Sequence, residues 1–450
     1  MKTLRIIFLV ILLLSGCRKS DDTTYIPPSN DVFVVPSTPD IAIYEINHRA
    51  FSTDGKLNSI LPRLDSIKSL GINVIWLMPV HPIGKKNSVG QMGSPYSVQN
   101  YLEINPELGN LDDLKNLVSE AHKKGMAVIL DWVANHTAWD NPWIANKDWY
   151  TQDGNGNIIH PPGTNWLDVA DLNYDNAEMR QAMIAAMKYW IVSAGVDGYR
   201  CDAADFVPFD FWKQAIDSLK MIPERKLLLL AEGARIDHFT AGFQMNFSWS
   251  YLEKLKNIFR NHQTAGGLFA TNQSENGVLP DSARKLRFTT NHDETAWNDT
   301  PLGVFGGKQA SMAAFVLVSF MGGVPLIYNG QEVGCPVKLP LFTTSPIDWT
   351  TNPGMMKEYR SLMSSRQKSQ ALKRGAIESF PDDDVVVFKR IYENNPEVLV
   401  MVNTRNQIID YPLPSSLLHS DWLNGLDQTQ VNLGDTLKFQ PWQYLILTKP

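Results

Sequence analysis

Residues 197–205 read Asp-Gly-Tyr-Arg-Cys-Asp-Ala-Ala-Asp and predict a β-strand that runs into a loop. Side chains alternate along a strand with a period of two, so Arg200 and Asp202 lie on the same face. A cation two residues from a carboxylate favours the ionised form and lowers the pKa of that carboxylate. An ionised carboxylate in a fixed position is a candidate nucleophile, although a purely structural ion pair gives the same local pattern. The rest of the chain decides between these two interpretations.

Apolar runs alternate with helical patterns on both sides of this stretch. Eight strands are predicted, each short and apolar enough to be buried on both faces. They lie at 41–46, 72–78, 127–130, 197–205, 227–231, 244–248, 286–290 and 324–328. Helices are predicted at 59–70, 111–124, 177–194, 209–220 and 309–321. This order indicates an α/β fold with a parallel sheet.

The number of units predicts a (β/α)8 barrel, or TIM barrel, which takes about 250 residues or more with loop insertions. A doubly wound open sheet is the alternative, but no glycine-rich phosphate-binding turn follows the first strand. A short insertion rich in Trp and Asn, residues 132–170, follows the third strand. Strands without long helices then predict a C-terminal antiparallel β-sandwich. We therefore assign the catalytic barrel to 40–372 and the β domain to 373–450.

The N-terminus indicates export. Lys2 and Arg5 precede an apolar run that is too short to span a bilayer and is typical of a signal peptide. The following Leu14-Ser-Gly-Cys17 resembles a bacterial lipobox, in which the Cys becomes the lipidated first residue. An ordinary cleaved signal with an incidental Cys is the alternative.

The lipobox predicts an exported protein held to a bacterial membrane, specifically the outer membrane, by a lipid on Cys17. Residues 1–17 are then the lipoprotein signal peptide. Residues 18–39, rich in Ser, Thr, Asp and Pro, are a flexible tether. The net charge of −6 argues against nucleic acid as a partner, because phosphate binding requires a basic surface. We expect a monomer.

Polar residues gather at the carboxyl ends of four predicted strands, where a barrel of this kind forms its active site. These ends read Asp131-Trp-Val-Ala-Asn-His136, Arg200-Cys-Asp202, Ala231-Glu232-Gly233 and Thr290-Asn-His-Asp293. They combine carboxylates, two His and one Arg without the Cys and His spacing of a metal site. Paired carboxylates of this kind suit glycoside hydrolysis. Any one strand end is weak evidence, but four in this order are poorly explained as structural coincidence.

The four strand ends resemble the signature regions of the α-amylase family, glycoside hydrolase family 13. Val169-Ala-Asp-Leu-Asn173 resembles a fifth region, and Gly93-Ser-Pro-Tyr96 resembles a stretch whose Tyr stacks under the sugar. The resemblance covers about residues 41–370. It implies a retaining glycosidase that cleaves α-1,4 bonds of starch-derived α-glucans or maltooligosaccharides.

The resemblance also implies roles for individual residues. Asp202 is the expected nucleophile, Glu232 the general acid and then base, and Asp293 the residue that binds the 2- and 3-hydroxyls and distorts the ring. The apolar strand before Glu232, with no adjacent cation in sequence, favours a raised pKa for this acid.

The remaining expected contacts are with the same sugar or with the nucleophile. His136 and His292 are expected to hydrogen-bond sugar hydroxyls, and Tyr96 is expected to form the stacking platform. Arg200 is expected to orient Asp202, with Asp131 as its own partner.

Two features depart from the family pattern. Asp205 and Phe206 occupy places where many family members have Lys-His, which binds sugar beyond the cleavage point, and Gly233 occupies a place where larger residues are common. The chemistry requires no cofactor. The family's usual structural calcium takes ligands from residues like Asn135 and Asp171, but the short insertion could lack the rest, in which case these two hold the loop by hydrogen bonds.

Two other functions remain open at this point. An α-glucan transglycosylase of the same family has the same motifs and differs in whether water or a sugar hydroxyl resolves the intermediate. A non-catalytic carbohydrate-binding lipoprotein is disfavoured, because Asp202, Glu232 and Asp293 are all present.

Overall fold

The centre of the computed structural model, which describes residues 33–449, is a closed barrel of eight parallel strands. In chain order the first ten strands are β1 (Ile43–Ile46), β2 (Val74–Leu77), β3 (Ala127–Val133), β4 (His136–Ala138), β5 (Val169–Asp171), β6 (Gly198–Asp202), β7 (Leu228–Ala231), β8 (Met245–Phe247), β9 (Arg284–Arg287) and β10 (Val324–Tyr328). Strands β4 and β5 pair with each other, and the other eight follow one another round the barrel until β10 closes on β1. The predicted parallel α/β barrel is therefore confirmed.

Helices surround the barrel and connect its strands. They are α1 (His48–Phe51), α2 (Leu64–Ser69), α3 (Leu111–Lys123), α4 (Ala177–Ala194), α5 (Phe209–Lys220), α6 (Asp237–Ala241), α7 (Trp249–Asn261), α8 (Gly267–Asn276), α9 (Pro301–Phe305), α10 (Lys308–Phe320), α11 (Pro353–Lys368) and α12 (Gln370–Arg374). The helix predicted at 59–70 is split into a 3-10 segment, Leu57–Arg63, and α2. Pro62 explains the split, since proline lacks the amide hydrogen that a continuous α-helix requires.

Strand β9 begins two residues earlier than its apolar pattern indicates. Its first residues are charged, and a charged run does not predict a buried strand. The charges are satisfied inside the protein: Lys285 Nζ donates to Asn246 Oδ1 at 2.7 Å, and Arg287 Nη1 lies 2.8 Å from Glu275 Oε2. Buried cations of this kind are tolerated because they are paired.

An antiparallel sheet follows the barrel, as predicted. Its strands are β11 (Ala376–Phe380), β12 (Val385–Ile391), β13 (Val398–Asn403), β14 (Ile409–Pro412), β15 (Ser420–Asn424), β16 (Gln430–Leu433), β17 (Thr436–Phe439) and β18 (Tyr444–Thr448). Six of them form one sheet, and β14 pairs with β17 in a second layer. Val387, Leu399 and Leu447 of the first layer share a core with Tyr411 and Phe439 of the second.

The predicted signal peptide, Cys17 and most of the predicted tether lie outside the described residues. Between residues 33 and 449, no helix is both long and apolar enough to cross a bilayer.

Candidate active site

A cleft of about 240 Å³ opens at the carboxyl ends of the barrel strands. Its position follows from the barrel, because the loops after the parallel strands all emerge at the same end. The predicted residues Tyr96, His136, Asp202, Glu232, His292 and Asp293 all line it. Side chains from strands far apart in sequence therefore meet in one place.

Arg200 is the centre of the charged network behind this cleft. Its side chain is completely buried, and the register of β3 and β6 sets Asp131 directly beside it. Arg200 Nη1 lies 2.7 Å from Asp131 Oδ1 and 2.9 Å from Asp202 Oδ1. Trp76 packs 5.0 Å from the guanidinium carbon, and its indole N–H donates to Asp131 Oδ2 at 3.2 Å. Asp131 is thus the partner of Arg200, as expected.

Glu232 forms an ion pair with the same guanidinium. The residues next to Glu232 in the sequence give no sign of this contact. Arg200 Nη2 lies 2.7 Å from Glu232 Oε1. The other carboxyl oxygen accepts a 2.7 Å hydrogen bond from the backbone N–H of Ala203. Ala203 has φ 43° and ψ 40°, a left-handed conformation that is uncommon for a residue with a Cβ and that occurs at functional sites. The backbone after Asp202 is therefore shaped to hold Glu232.

The protonation of this pair differs from the sequence-based expectation. Burial raises the pKa of the Asp202 carboxyl well above its usual range, against the opposing effect of Arg200. Burial also raises the pKa of Glu232, again against Arg200. The prediction that Arg200 lowers the pKa of Asp202 was wrong as a net effect, because several buried carboxylates share one guanidinium. The raised pKa of Glu232 was predicted correctly. Together the two carboxyls retain a proton to higher pH than free carboxyls do.

His292 joins this network from the loop after β9. Its Nδ1 lies 2.5 Å from Glu45 Oε1, and its Nε2 lies 2.7 Å from the Tyr96 hydroxyl and 3.4 Å from Asp293 Oδ2. Burial acts to lower the pKa of His292, but the Asp293 and Glu45 carboxylates outweigh it and raise the pKa to about 9. His292 therefore carries a positive charge at neutral pH and lies beside Asp293.

Tyr96 and His136 also line the cleft. The ring of Tyr96 stacks on His292 with centroids 5.4 Å apart, and its hydroxyl also donates to Asp131 Oδ2 at 3.1 Å. Burial lowers the pKa of His136 to about 4, so its ring is neutral at neutral pH. A neutral imidazole can both donate and accept a hydrogen bond, which suits a sugar hydroxyl.

Asn135 directly precedes β4 and Asp171 ends β5, so the two expected calcium ligands lie at the same pair of strands. Calcium takes six to eight oxygen ligands, whereas the Asn135 side-chain nitrogen faces His136 Nδ1 at 3.2 Å. Asp171 lies opposite His136 in the β4–β5 pair, and its backbone oxygen accepts from Thr151 N–H at 3.0 Å. Residues 33–449 contain no group of three or more His, Cys, Asp or Glu placed to hold a metal ion.

The comparison with known proteins agrees with this geometry. The family profile described as "Alpha amylase, catalytic domain" matches residues 30–378, which is most of the chain.

The chain belongs to the α-amylase family. It is 27% identical to alpha-amylase 3 of Dictyoglomus thermophilum over 483 aligned positions, which cover 90% of each protein. The structure of an alpha-amylase from Lactobacillus plantarum is similar at a TM-score of 0.83 and 26% identity, covering 92% of this chain and 99% of that one. A maltogenic alpha-amylase from Thermotoga neapolitana is similar at a TM-score of 0.81 and 26% identity, over 91% and 99%. The chain is therefore a glycoside hydrolase of the α-amylase type.

The two departures from the α-amylase family pattern are coupled to each other. The Asp205 carboxylate accepts hydrogen bonds from the backbone N–H groups of Ala234 at 3.0 Å and Arg235 at 3.3 Å. A Cβ at Gly233 would lie only 2.3 Å from Asp205 Oδ1. Asp205 therefore turns back onto the loop that carries Glu232, and Gly233 provides the space for it.

Phe206, the other half of this departure from the α-amylase family pattern, is 54% exposed beside the cleft. Its ring lies 5.5 Å from that of Trp166, which in turn lies 5.5 Å from the ring of His136. Trp166 is the insertion Trp that lines the cleft. Trp132 is completely buried in the core, and Trp139, Trp143 and Trp149 pack against that core.

Several α-amylase cleft residues were not anticipated from the sequence. Glu45, near the end of β1, is completely buried and contacts His292. The only sign of this role in the sequence is a single acidic residue in an otherwise apolar strand. Trp297 and Phe342 line the opening with their rings 5.7 Å apart. Neither stands in a distinctive pattern, because Trp297 lies in the short helical segment Glu294–Asn298 and Phe342 lies in a loop, and only the closed barrel brings them together.

Proposed function

We propose that this chain is a retaining hydrolase that cleaves α-1,4-glucosidic bonds of starch-derived α-glucans or maltooligosaccharides through a covalent glycosyl-aspartate on Asp202. The observation that supports this most strongly is that one guanidinium, Arg200, contacts both Asp202 and Glu232. The two terminal nitrogens of a guanidinium are adjacent, so carboxyls that contact them stand close together. In retaining enzymes the two carboxyls are about 5–5.5 Å apart, whereas in inverting enzymes they are about 6.5–9.5 Å apart to leave room for a water molecule. Carboxyls that stand close together therefore favour the retaining mechanism.

The first step transfers the glycosyl group to the enzyme. Protonated Glu232 gives its proton to the glycosidic oxygen, the C1–O bond breaks, and Asp202 forms a bond to C1. In the structure Glu232 Oε2 accepts a hydrogen bond from the Ala203 N–H and Oε1 lies 2.7 Å from Arg200 Nη2, so the protonated acid has to turn away from one of these groups to reach the glycosidic oxygen. Arg200 then remains with Asp202 and Asp131.

The second step releases the sugar. Glu232, now ionised, takes a proton from water, the water oxygen attacks C1, and Asp202 leaves as a carboxylate. Attack from the side first occupied by the leaving group restores the α configuration. Asp293 and His292 lie on the same side of the cleft and form a charged pair suited to the hydroxyls of the ring.

Names of similar proteins support an α-glucan substrate: they include alpha-amylases, a maltogenic alpha-amylase from Bacillus acidopullulyticus and a cyclomaltodextrinase from Thermoanaerobacter pseudethanolicus. The test is to incubate the full chain with starch, pullulan, maltotriose and maltoheptaose and to size the products. Shorter products from starch and maltoheptaose support hydrolysis. Products longer than maltoheptaose would favour the rival transglycosylase, and no products from any of the four substrates would contradict both.

Trp166 and Phe206 are expected to bind the sugar beyond the cleavage point. Aromatic rings stack on the apolar faces of sugars, and Phe206, which contacts Trp166, occupies one of the two places where many family members have Lys-His. We expect Trp166→Ala to raise KM for maltoheptaose about tenfold and to change which bond is cleaved, because an aromatic contact contributes about 0.5–1.5 kcal/mol. Trp297→Ala, at the other side of the opening, is the matched control. An unchanged product pattern in Trp166→Ala would contradict this assignment.

Cys17 is proposed to carry a lipid that anchors the protein to a bacterial membrane, and the lipobox-like Leu14-Ser-Gly-Cys17 supports this. We expect Cys17→Ala to move the protein from the membrane fraction to the soluble fraction of the producing cells and to abolish incorporation of a labelled fatty acid. Ser15→Ala, a neighbouring small-for-small change, serves as the control. A fatty-acid label that survives Cys17→Ala would contradict the proposal.

Calcium is not required in this account, because backbone hydrogen bonds from Leu172 N–H to Asn135 O and from Thr151 N–H to Asp171 O hold the segment after β3. We expect treatment with EDTA to leave both Tm and the rate on maltoheptaose unchanged. Dialysis against EDTA followed by addition of calcium is the measurement. A fall in Tm that calcium reverses would show that these two residues belong to a metal site.

A further inference from the structure

A second, larger opening lies at the opposite end of the barrel from the catalytic cleft. It is a groove of about 980 Å³, bounded by the segments that lead into β1, β9 and β10, by α8, and by strands β11 and β12. Pro39, Arg284 and Gly323 line it from the amino ends of those three barrel strands. Active-site loops of such barrels occupy the carboxyl end, so this groove is separate from the proposed glycosidase chemistry.

Cationic side chains dominate this opening, which we call the basic groove. Arg284, Lys373, Arg374 and Arg390 line it, and Arg366 lies behind its wall, donating to the backbone oxygens of Pro39 and Gly323. The only carboxylate within ion-pair distance of any of these five, among residues 33–449, is Asp40. It contacts Lys373 at 2.9 Å and also pairs with Arg374.

Arg390 is the most informative member of the basic groove. It is only 4% exposed, and its Nε donates to the Ala371 backbone oxygen at 3.2 Å. Its two terminal nitrogens make no hydrogen bond to any part of the chain that the structure describes. A Cβ at Gly322 would lie 2.9 Å from Arg390 Nη1, so the glycine leaves room for the guanidinium. The fork of donors is therefore held in place at the wall of the groove.

Arg366 repeats this pattern at greater depth. Its side chain is completely buried, and one terminal nitrogen donates to Gly323 O at 3.1 Å and Pro39 O at 3.3 Å. Its Nε and Nη1 have no hydrogen-bond partner within residues 33–449. Arg284 Nη1 likewise donates to the backbone oxygens of Asp281 and Ala283, both at 2.6 Å. Arg284 forms no ion pair with any of the described carboxylates.

Buried guanidinium groups without a counter-charge are costly, because an ion loses its hydration and gains no opposite charge in return. Burial lowers the pKa of Arg390 to about 9, and its cationic neighbours Arg366 and Arg284 add to this effect. An anion bound between these groups would remove that repulsion. The geometry thus favours a ligand that brings negative charge.

We propose that the basic groove binds a phosphate-bearing ligand. The planar donor fork of Arg matches the oxygens of a phosphate group and binds them in pairs. The groove is much larger than a phosphate ion, and Asn272, Gln273 and Asn276 of α8 supply amide groups for the rest of the molecule. The phosphate can come from a soluble phosphate ester or from a lipid headgroup, since Pro39 at the end of the predicted tether lines the groove.

The test uses the full chain with Cys17→Ala, so that no attached lipid contributes, and compares it with three arginine variants. Binding of inorganic phosphate and of glucose 6-phosphate is measured by calorimetry at constant ionic strength. Vesicles of phosphatidylcholine with and without phosphatidylglycerol are tested by co-sedimentation. Arg390→Gln and the half-buried Arg284→Gln remove groove cations, and Arg260→Gln, an exposed change on α7, is the control. Activity on maltoheptaose and circular dichroism report whether each variant is folded.

We expect saturable binding that weakens at least tenfold in Arg390→Gln and Arg284→Gln, stays intact in Arg260→Gln, and leaves activity on maltoheptaose unchanged in all three. Binding of the soluble probes identifies a phosphate ester as the ligand class. Binding only to vesicles with phosphatidylglycerol, lost in the same two variants, identifies a lipid phosphate. If no probe binds, or if a folded Arg284→Gln binds like the parent, the proposal is overturned and the arginines serve only to join the barrel to the C-terminal sheet.

Discussion

Replacing Asp202 by Asn is expected to lower kcat on maltoheptaose by a factor of about 10⁴ while leaving the fold intact. An amide is not a nucleophile toward C1, so the covalent step is lost. The amide oxygen can still accept from Arg200 Nη1, which now contacts Asp202 at 2.9 Å. The change also removes a negative charge from a buried set of carboxylates, so we expect Tm to be unchanged or higher.

The measurement is kcat together with Tm, and Asp210→Asn is the matched control. Asp210 is an exposed carboxylate on α5 that pairs with Arg180 away from the cleft, so its replacement should leave kcat unchanged. An Asp202→Asn enzyme that keeps more than about a hundredth of the parent activity would show that the nucleophile is another residue.

Replacing Glu232 by Gln is expected to lower kcat on maltoheptaose by a factor of about 10²–10⁴, because general acid catalysis contributes about that much. With α-maltosyl fluoride as the substrate, the rate of the first step should fall much less, because fluoride leaves without needing a proton. Added azide should then speed turnover by replacing the water that Glu232 normally activates.

The two-substrate comparison separates the acid role from a structural one. Glu232 also forms an ion pair with Arg200 and accepts a hydrogen bond from the Ala203 N–H, so its replacement could disturb the site without any loss of proton transfer. Asp202→Asn is the control, because it should lose turnover of both substrates. Equal losses on both substrates in Glu232→Gln, with no effect of azide, would mean that the residue only positions Arg200.

Much of the fold was predictable because parallel barrel strands are buried on both faces. Strands β2 and β10 are completely buried, and their continuous apolar runs in the sequence follow directly from that burial. Strand β9 was displaced in the prediction since its buried residues Lys285 and Arg287 are held by Asn246 and Glu275, which lie in other elements. Such pairings arise from tertiary contacts, which no local pattern reports.

The residues of the candidate site that lie at or just after the carboxyl ends of barrel strands were predictable from the sequence. Asp202, Glu232 and Asp293 each follow a strand, and the barrel closes them into one cleft. The raised pKa of Asp202 was not predictable, because it depends on the burial of this carboxyl and on the other carboxylates around Arg200. Sequence shows that Arg200 and Asp202 are two residues apart, but only the folded chain shows that Glu232 occupies the other nitrogen.

The coupling of Asp205 to Gly233 illustrates the same limit. Each residue stood out separately as a departure from the family pattern, and their contact could not be derived from a spacing of 28 positions. In the structure the two residues depend on each other, because the absence of a Cβ at Gly233 leaves the space that the Asp205 carboxylate occupies. We infer that the specificity of this enzyme beyond the cleavage point depends on Phe206 and Trp166 rather than on Asp205.

The most direct test of the central claim is the configuration of the sugar end that the enzyme releases. Maltoheptaose is hydrolysed with enough enzyme to finish within minutes, and the anomeric protons of the new reducing ends are followed by proton NMR before they equilibrate. The account predicts that the α-anomer appears first and that the β-anomer grows only later by mutarotation. Initial release of the β-anomer would show inversion and would contradict a covalent intermediate on Asp202.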